Sequence, residues 1–265
     1  MAGPAFEVIT APNPSPFTLA GTNTYLIGTG GDVVVIDPGP DDAGHVTHLL
    51  EQAAASGRRV VLALLTHGHS DHRGAADRLA DTTGAPVRGW NTPQAPLRDG
   101  EELALPGGRL RVMHTPGHAP DHVAFHWEER GVLFSGDLIL GEGTVQVTPP
   151  GGSMVDYLRS LELVARLDLT MIAPGHGPLV RKPHRRIAEY LAHRRAREQQ
   201  VLDALAAGAR TAREVAAMIY PDLDPRRRAA AEGTVFAHLE KLVLDGRARR
   251  SGARFGAVTR RRGRW

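Results

Sequence analysis

Cysteine is absent from the 265 residues. Its absence excludes disulfides, thiolate metal sites and a cysteine nucleophile. No apolar stretch approaches the ~20 residues that a membrane-spanning helix needs. The start, Met1 to Glu7, has neither a basic n-region nor an apolar h-region, which argues against a signal peptide. A cytoplasmic protein with no membrane partner is therefore expected. Acidic residues are missing from Gly246 to Trp265, which holds eight Arg, although the whole chain is only +3. The rest of the chain has 24 Lys plus Arg against 29 Asp plus Glu. Such asymmetry predicts a basic end that meets phosphates, or else a solvated, frayed terminus.

What the chain does have is histidine in a pattern. The apolar run Val60-Val61-Leu62-Ala63-Leu64-Leu65 is too short for an ordinary helix and reads as a buried strand. Directly after it comes Thr66-His67-Gly68-His69-Ser70-Asp71-His72. Imidazole and carboxylate suit divalent metals, and His67 and His69, two apart on extended backbone, can point the same way to one ion. Asp71 and His72 can turn towards a second. Gly68 permits the tight bend between them, and Ser70 or Asp71 is expected to cap the following helix. Three further candidates each end another expected strand: His118 in Thr115-Pro116-Gly117-His118, Asp137 in Phe134-Ser135-Gly136-Asp137, and His176 in Ala173-Pro174-Gly175-His176.

These residues resemble the metallo-β-lactamase superfamily, and T-H-x-H-x-D-H is most similar to its glyoxalase II form. The resemblance implies that His67, His69 and His118 bind one metal, that Asp71, His72 and His176 bind another, and that Asp137 bridges them. Zinc is the expected ion. Two ions about 3.5–4 Å apart can hold a hydroxide between them. Asp71 is then placed to orient the nucleophile as well as to bind metal. His122, four residues past His118, is a candidate catalytic residue touching substrate or leaving group. His114 and His126 fall inside strands and read as packing residues. Asp37, closing the strand Val33 to Ile36, is a candidate either for holding a ligand histidine or for stabilising the Pro38-Gly39 turn.

Strands are expected at Phe6 to Thr10, Gly21 to Ile27 and Val33 to Ile36, with an amphipathic helix over Asp42 to Ser56. Short strands recur from Pro86 to Ser135, with a helix over Met154 to Leu167 and a mobile loop over Gly141 to Gly152. This predicts an α/β fold, an αββα sandwich of two mixed sheets, over residues 1–180. Helices over Pro183 to Ala207, Thr211 to Met218 and Pro225 to Asp245, then a basic hairpin, predict a winged-helix-like domain over 181–265. Asn13-Pro14-Ser15-Pro16-Phe17, Gly21-Thr22-Asn23-Thr24-Tyr25 and His193-Arg194-x-x-Arg197-Glu198-Gln199-Gln200 are similar to the β-lactamase-like-protein-2 subgroup. That resemblance implies metal-dependent cleavage of single-stranded RNA. Hydrolysis of thioesters or related small acyl compounds is the alternative, with β-lactam cleavage as a side activity. A winged-helix binding protein with structural metals is a third reading, disfavoured because structural zinc sites are closed and need no bridging carboxylate.

Overall fold

The computed structural model describes residues 6–28, 30–105 and 107–258. A first sheet takes the order β1 (Phe6–Thr10), β2 (Asn23–Ile27), β3 (Asp32–Ile36), β4 (Arg59–Leu64) and β5 (Val87–Arg88). Its first three strands are antiparallel, and β3, β4 and β5 are parallel. Parallel neighbours need crossovers, and helices supply them. Helix α1 (Ala43–Ala55) joins β3 to β4, while α2 (Ser70–Arg73) and α3 (Ala76–Thr83) join β4 to β5. The Asp42 side chain caps α1 by accepting from the His45 amide at 2.7 Å. Neither Ser70 nor Asp71 acts as a cap, contrary to expectation. Both lie inside α2, whose N-cap is His69, so Asp71 stays free to face the cluster described below.

The second sheet takes the order β10 (Met171–Pro174), β9 (Val132–Gly136), β8 (Val123–Trp127), β7 (Gly108–His114) and β6 (Glu102–Leu105). It is antiparallel except for β10, which α4 (Met154–Val164) returns parallel to β9. The inner faces meet in one core, where Tyr25, Ile36 and Leu64 pack with Val112, Phe125 and Phe134. Outside, Val46, Leu49 and Leu79 cover the first sheet. Tyr157, Leu161 and Ile187 cover the second. With both faces covered, β8 and β9 are buried along their whole length, so no polar alternation marks them in the sequence. The expected αββα sandwich of two mixed sheets is the observed fold.

Beyond the sandwich stand α5 (Pro183–Ala206), α6 (Ala212–Ile219), α7 (Arg228–Leu244) and the hairpin of β11 (Ala248–Ser251) and β12 (Arg254–Ala257). The capping box of α6 is formed, with Thr211 and Glu214 each bonding the other's backbone amide. The helix expected from Pro225 begins as a 3₁₀ turn, Pro225–Arg227, and becomes α-helical at Arg228. Val201, Leu205, Val215, Leu239 and Phe255 form this unit's own core. Residue 180 is not a clean boundary, however. Ile187 and Tyr190 of α5 belong to the sandwich core and Val201 and Leu205 to the winged-helix core, so one helix is built into both. The Gly141 to Gly152 loop is irregular as expected but anchored, since Arg186 donates to the Leu140 and Gly143 carbonyls and Arg194 to that of Val145. Of the eight arginines at the basic end, Arg260, Arg261, Arg262 and Arg264 lie outside the described residues. No helix among the described residues is long and apolar enough to cross a membrane.

Candidate metal centre

Strand ends carry the site. Where β4 stops, Thr66 is fixed by Asp37, which accepts from its amide and its hydroxyl, both at 2.7 Å. The Thr66 carbonyl accepts from the Val123 amide at 2.7 Å and so ties the two sheets together at this edge. From this anchored point His67, His69, Asp71 and His72 enter one cluster, joined by His118 from the β7–β8 loop, Asp137 after β9 and His176 after β10. Three sets of ligand atoms converge: His67, His69 and His118; His67, His72 and Asp137; and Asp71, His72 and His176. Asp137 lies between the outer sets. One of its oxygens is 3.6 Å from His118 Nε2, and the other is 3.4 Å from His176 Nε2 and 3.5 Å from His72 Nε2.

The cluster fits metal ions better than it fits itself. His69 Nδ1 faces His67 Nε2 at 2.9 Å and His118 Nε2 at 3.0 Å, and His72 Nε2 faces His176 Nε2 at 3.2 Å. Imidazole nitrogens around a tetrahedral zinc, each about 2.05 Å from it, sit about 3.3 Å apart. Four of the five histidines also bind a second partner through their other ring nitrogen. His67 Nδ1 meets the Thr66 hydroxyl at 3.0 Å, His72 Nδ1 the Asp37 carboxylate at 2.8 Å, His118 Nδ1 the Gln146 carbonyl at 2.9 Å and His176 Nδ1 the Gly21 carbonyl at 3.2 Å. Such partners orient metal-binding imidazoles. Asp137 Oδ1 is buried without a hydrogen-bond partner, a costly state that a cation would relieve.

Burial, helped by neighbouring imidazoles, holds His67 and His69 below the usual histidine range, so their lone pairs are free. For His72 burial opposes protonation, but the Asp137 and Asp37 carboxylates outweigh it and push the group up. Burial lowers His176, but the Asp137 and Asp71 carboxylates facing its Nε2 at 3.4 and 3.3 Å outweigh it and push the group to about 10. Asp137 lies well below the carboxylate range despite burial, because His72 and His176 face it. The pocket thus favours positive charge at its carboxylate end.

Of the other sequence candidates, Asp37 holds His72 and Thr66 rather than only its own turn, and does so from a left-handed backbone, φ 51°. His122 is a correction. It is 0% exposed, beneath the cluster, with Nδ1 on the Thr115 hydroxyl at 2.9 Å and Nε2 accepting from the Asp137 amide at 3.1 Å. Burial lowers it to about 3, and a sealed neutral imidazole cannot touch substrate or leaving group; it positions Asp137. His114 stacks on Trp90 at 3.9 Å and His126 is buried in β8, both outside the cluster. Asn23 carries a role that sequence reasoning did not assign. Its side-chain amide donates to the Pro174 and Gly177 carbonyls, bracing the turn that presents His176. Its only signal was its place in the Gly21-Thr22-Asn23-Thr24-Tyr25 motif.

Above the cluster opens a cavity of about 470 Å³, lined among others by Phe17, Arg194, Arg197, Tyr220 and Arg227. Metal cluster and winged-helix unit therefore share one cavity.

A sandwich with a histidine and aspartate cluster at its strand ends defines a metal-dependent hydrolase fold. Residues 17–89 and 90–176 match the family described as Metallo-beta-lactamase superfamily, and 211–265 match the Beta-lactamase associated winged helix domain. The chain belongs to the metallo-β-lactamase superfamily, whose members are hydrolases. It is 35% identical over 247 residues to a Beta-lactamase-like protein 2 homolog of Caenorhabditis elegans, covering 88% of this chain and 82% of that one. An Atrochrysone carboxyl ACP thioesterase of Aspergillus chevalieri is 35% identical over 206 residues, 74% of this chain and 64% of that one. Among solved structures, a metallo-beta-lactamase family protein of Thermus thermophilus superposes with a TM-score of 0.81 at 29% identity, covering 96% and 99% of the two chains.

Proposed function

We propose that the protein is a dinuclear, zinc-dependent hydrolase of phosphodiesters in single-stranded RNA. The observation that carries the substrate class is the shared cavity, in which the cluster lies open to Arg194, Arg197 and Arg227. Among the described residues none of these three has a carboxylate partner within 4 Å. Uncompensated positive charge beside a hydrolytic centre suits a substrate that is itself polyanionic.

When bound, two such ions supply Lewis acidity and a nucleophile at neutral pH. His67, His69 and His118 would hold one ion, Asp71, His72 and His176 the other, with Asp137 between them. The chain's own work is positioning. Asp37 fixes the His72 ring, the Gln146 carbonyl fixes that of His118, and His122 accepts from the Asp137 amide and so aims its carboxylate. Asp71, with 29% of its side chain exposed, reaches the cavity and accepts a hydrogen bond from the attacking water. Water oxygen bonds to phosphorus and gives up one proton to solvent, the ester P–O bond breaks, and the departing oxygen takes a proton from solvent.

Cleavage of a thioester is the second reading. It is favoured by the apolar side of the cavity, where Phe17 stands 47% exposed beside Leu19, and by the similarity to a thioesterase. Assaying the purified chain on single-stranded RNA, an acyl-thioester and a β-lactam separates the two. RNA cleavage that Asp71→Ala abolishes at an unchanged melting temperature is the expected result, and thioester turnover without RNA cleavage would replace it.

At the basic end, Arg247 pairs with Glu198, and Arg250 pairs with Glu240 while lying over Phe236 and Phe255. Two of the four described arginines there are thus engaged in holding the fold. Arg249 and Arg254 remain to meet phosphates.

A further inference from the structure

Helix α5 places His193, Arg194 and Arg197 within one turn of each other, on the side that faces the cavity. Arg194 is 2% exposed, a buried guanidinium whose neighbours are neutral: the Val145 carbonyl, to which it donates, and the Tyr157 ring, 5.0 Å from its centre. Arg197 lies over the Tyr220 ring at 4.3 Å and donates to the Gln200 side-chain carbonyl at 2.7 Å. The Nε atoms of both arginines and Nδ1 of His193 are buried without hydrogen-bond partners. Arg227 lines the same cavity and donates to the Pro16 carbonyl at 2.9 Å. Burying cations without counter-charge is costly, and folds seldom keep such charge where no anion visits. Glu198, the acid next to Arg197, is already bound to Lys241 and Arg247 and offers nothing to this wall.

We infer that the α5 wall, with Arg197 as its contact group and Arg227 lining the same cavity, is a subsite for a second phosphate of the substrate, adjoining the one at the metal cluster. Arg194 supplies field from beneath, and Tyr220 holds the Arg197 guanidinium flat; with Nη1 on Gln200 and Nε buried, Nη2 is the group left to take a phosphate oxygen. This deepens the RNA reading. The scissile phosphodiester lies at the cluster, and its neighbour along the strand lies on Arg197.

The test compares a dinucleotide bearing one extra terminal phosphate with the same dinucleotide lacking it. In the wild type the extra phosphate should lower KM about tenfold, the scale of a charge-assisted hydrogen-bonded pair. Arg197→Gln should bring that ratio close to one, and Arg227→Gln should reduce it in part. A merely structural arginine would worsen both substrates and leave the ratio intact, and that outcome overturns the proposal. Should no dinucleotide be cut, whether or not longer single-stranded RNA is, the subsite is read separately, by calorimetric titration of the metal-loaded chain with inorganic phosphate. Two binding events in the wild type and one in Arg197→Gln support it, whereas identical isotherms overturn it. Melting temperatures of the variants verify folding in either arm.

Discussion

At the residue scale, Asp137 concentrates the logic of the site. Its two oxygens look towards different histidine sets, and its backbone amide is held by His122, which no solvent reaches. Asp137→Asn removes one negative charge while keeping size and shape, so it isolates the carboxylate's part in ion binding. Metal content measured by elemental analysis should fall at both sites, from two ions towards one or none, because the shared anion is lost. One ion at most in the wild type, unaffected by the substitution, would defeat the dinuclear assignment. Gly175 shows how little room the centre leaves, since a Cβ there would stand 2.6 Å from Asp137 Oδ1 and 2.8 Å from the His72 ring. That glycine is required by a close approach which no local sequence rule reveals.

Among the elements, α5 decides how the two units depend on each other. Its first half buries Ile187 and Tyr190 in the sandwich, where the Tyr190 hydroxyl accepts from the Leu140 amide at 2.9 Å; its second half buries Val201 and Leu205 in the winged-helix core. A chain ending at residue 180 should therefore expose the outer face of the second sheet and aggregate or melt early. A chain ending at residue 208 keeps that face covered and should fold. Circular dichroism melts of the two, set against the full chain, check this, and a cooperative transition from the shorter piece at full-chain temperature would show that α5 is dispensable to the sandwich. Deleting the hairpin to test RNA binding is unsuitable for a related reason. Ala248 and Phe255 are buried in the second core, so charge changes at Arg249 and Arg254 probe the surface without opening it.

For the whole molecule, pH tests the junction of the units. His238 on α7 is fully buried with neither ring nitrogen bonded, and it faces Arg194, Arg197 and His193 of α5 and Lys241 of its own helix. Burial first, then these charges, lower it to about 3. The unfolded chain takes a proton near the ordinary value of about 6.5, while the folded chain resists until about 3, so the unfolded state binds more protons across that window. Stability should be full above about 6.5 and lost as pH falls towards 3, with a slope approaching about 1.4 kcal/mol per pH unit for this one group. His238→Phe keeps an aromatic ring and removes the titration. Urea unfolding at neutral and mildly acid pH should show the wild type losing more stability than the variant, and equal losses would mean that His238 does not carry the effect.

Read alone, the amino-acid sequence determined whatever depends on near neighbours. The apolar run before His67, the helices starting near Asp42 and Thr211 and the spacing of the histidine motif were legible, because they are decided within a few residues, although the cap expected at Ser70 or Asp71 was not formed. So was the choice of His118, Asp137 and His176, since each follows a recognisable strand end. The tertiary structure alone decided what depends on distant packing. His122 looked like a group open to substrate, but the turn just before β8 carries it beneath the cluster, where Thr115 and Asp137 enclose it. Asn23 reaches a carbonyl 151 positions away. Arg194 and Arg197 gave no catalytic signal in a polar helix, yet closure of the winged-helix unit over the sandwich brings them to the cavity that holds the candidate ligands. Burial and charge balance are properties of the closed space, and only the folded chain encloses it.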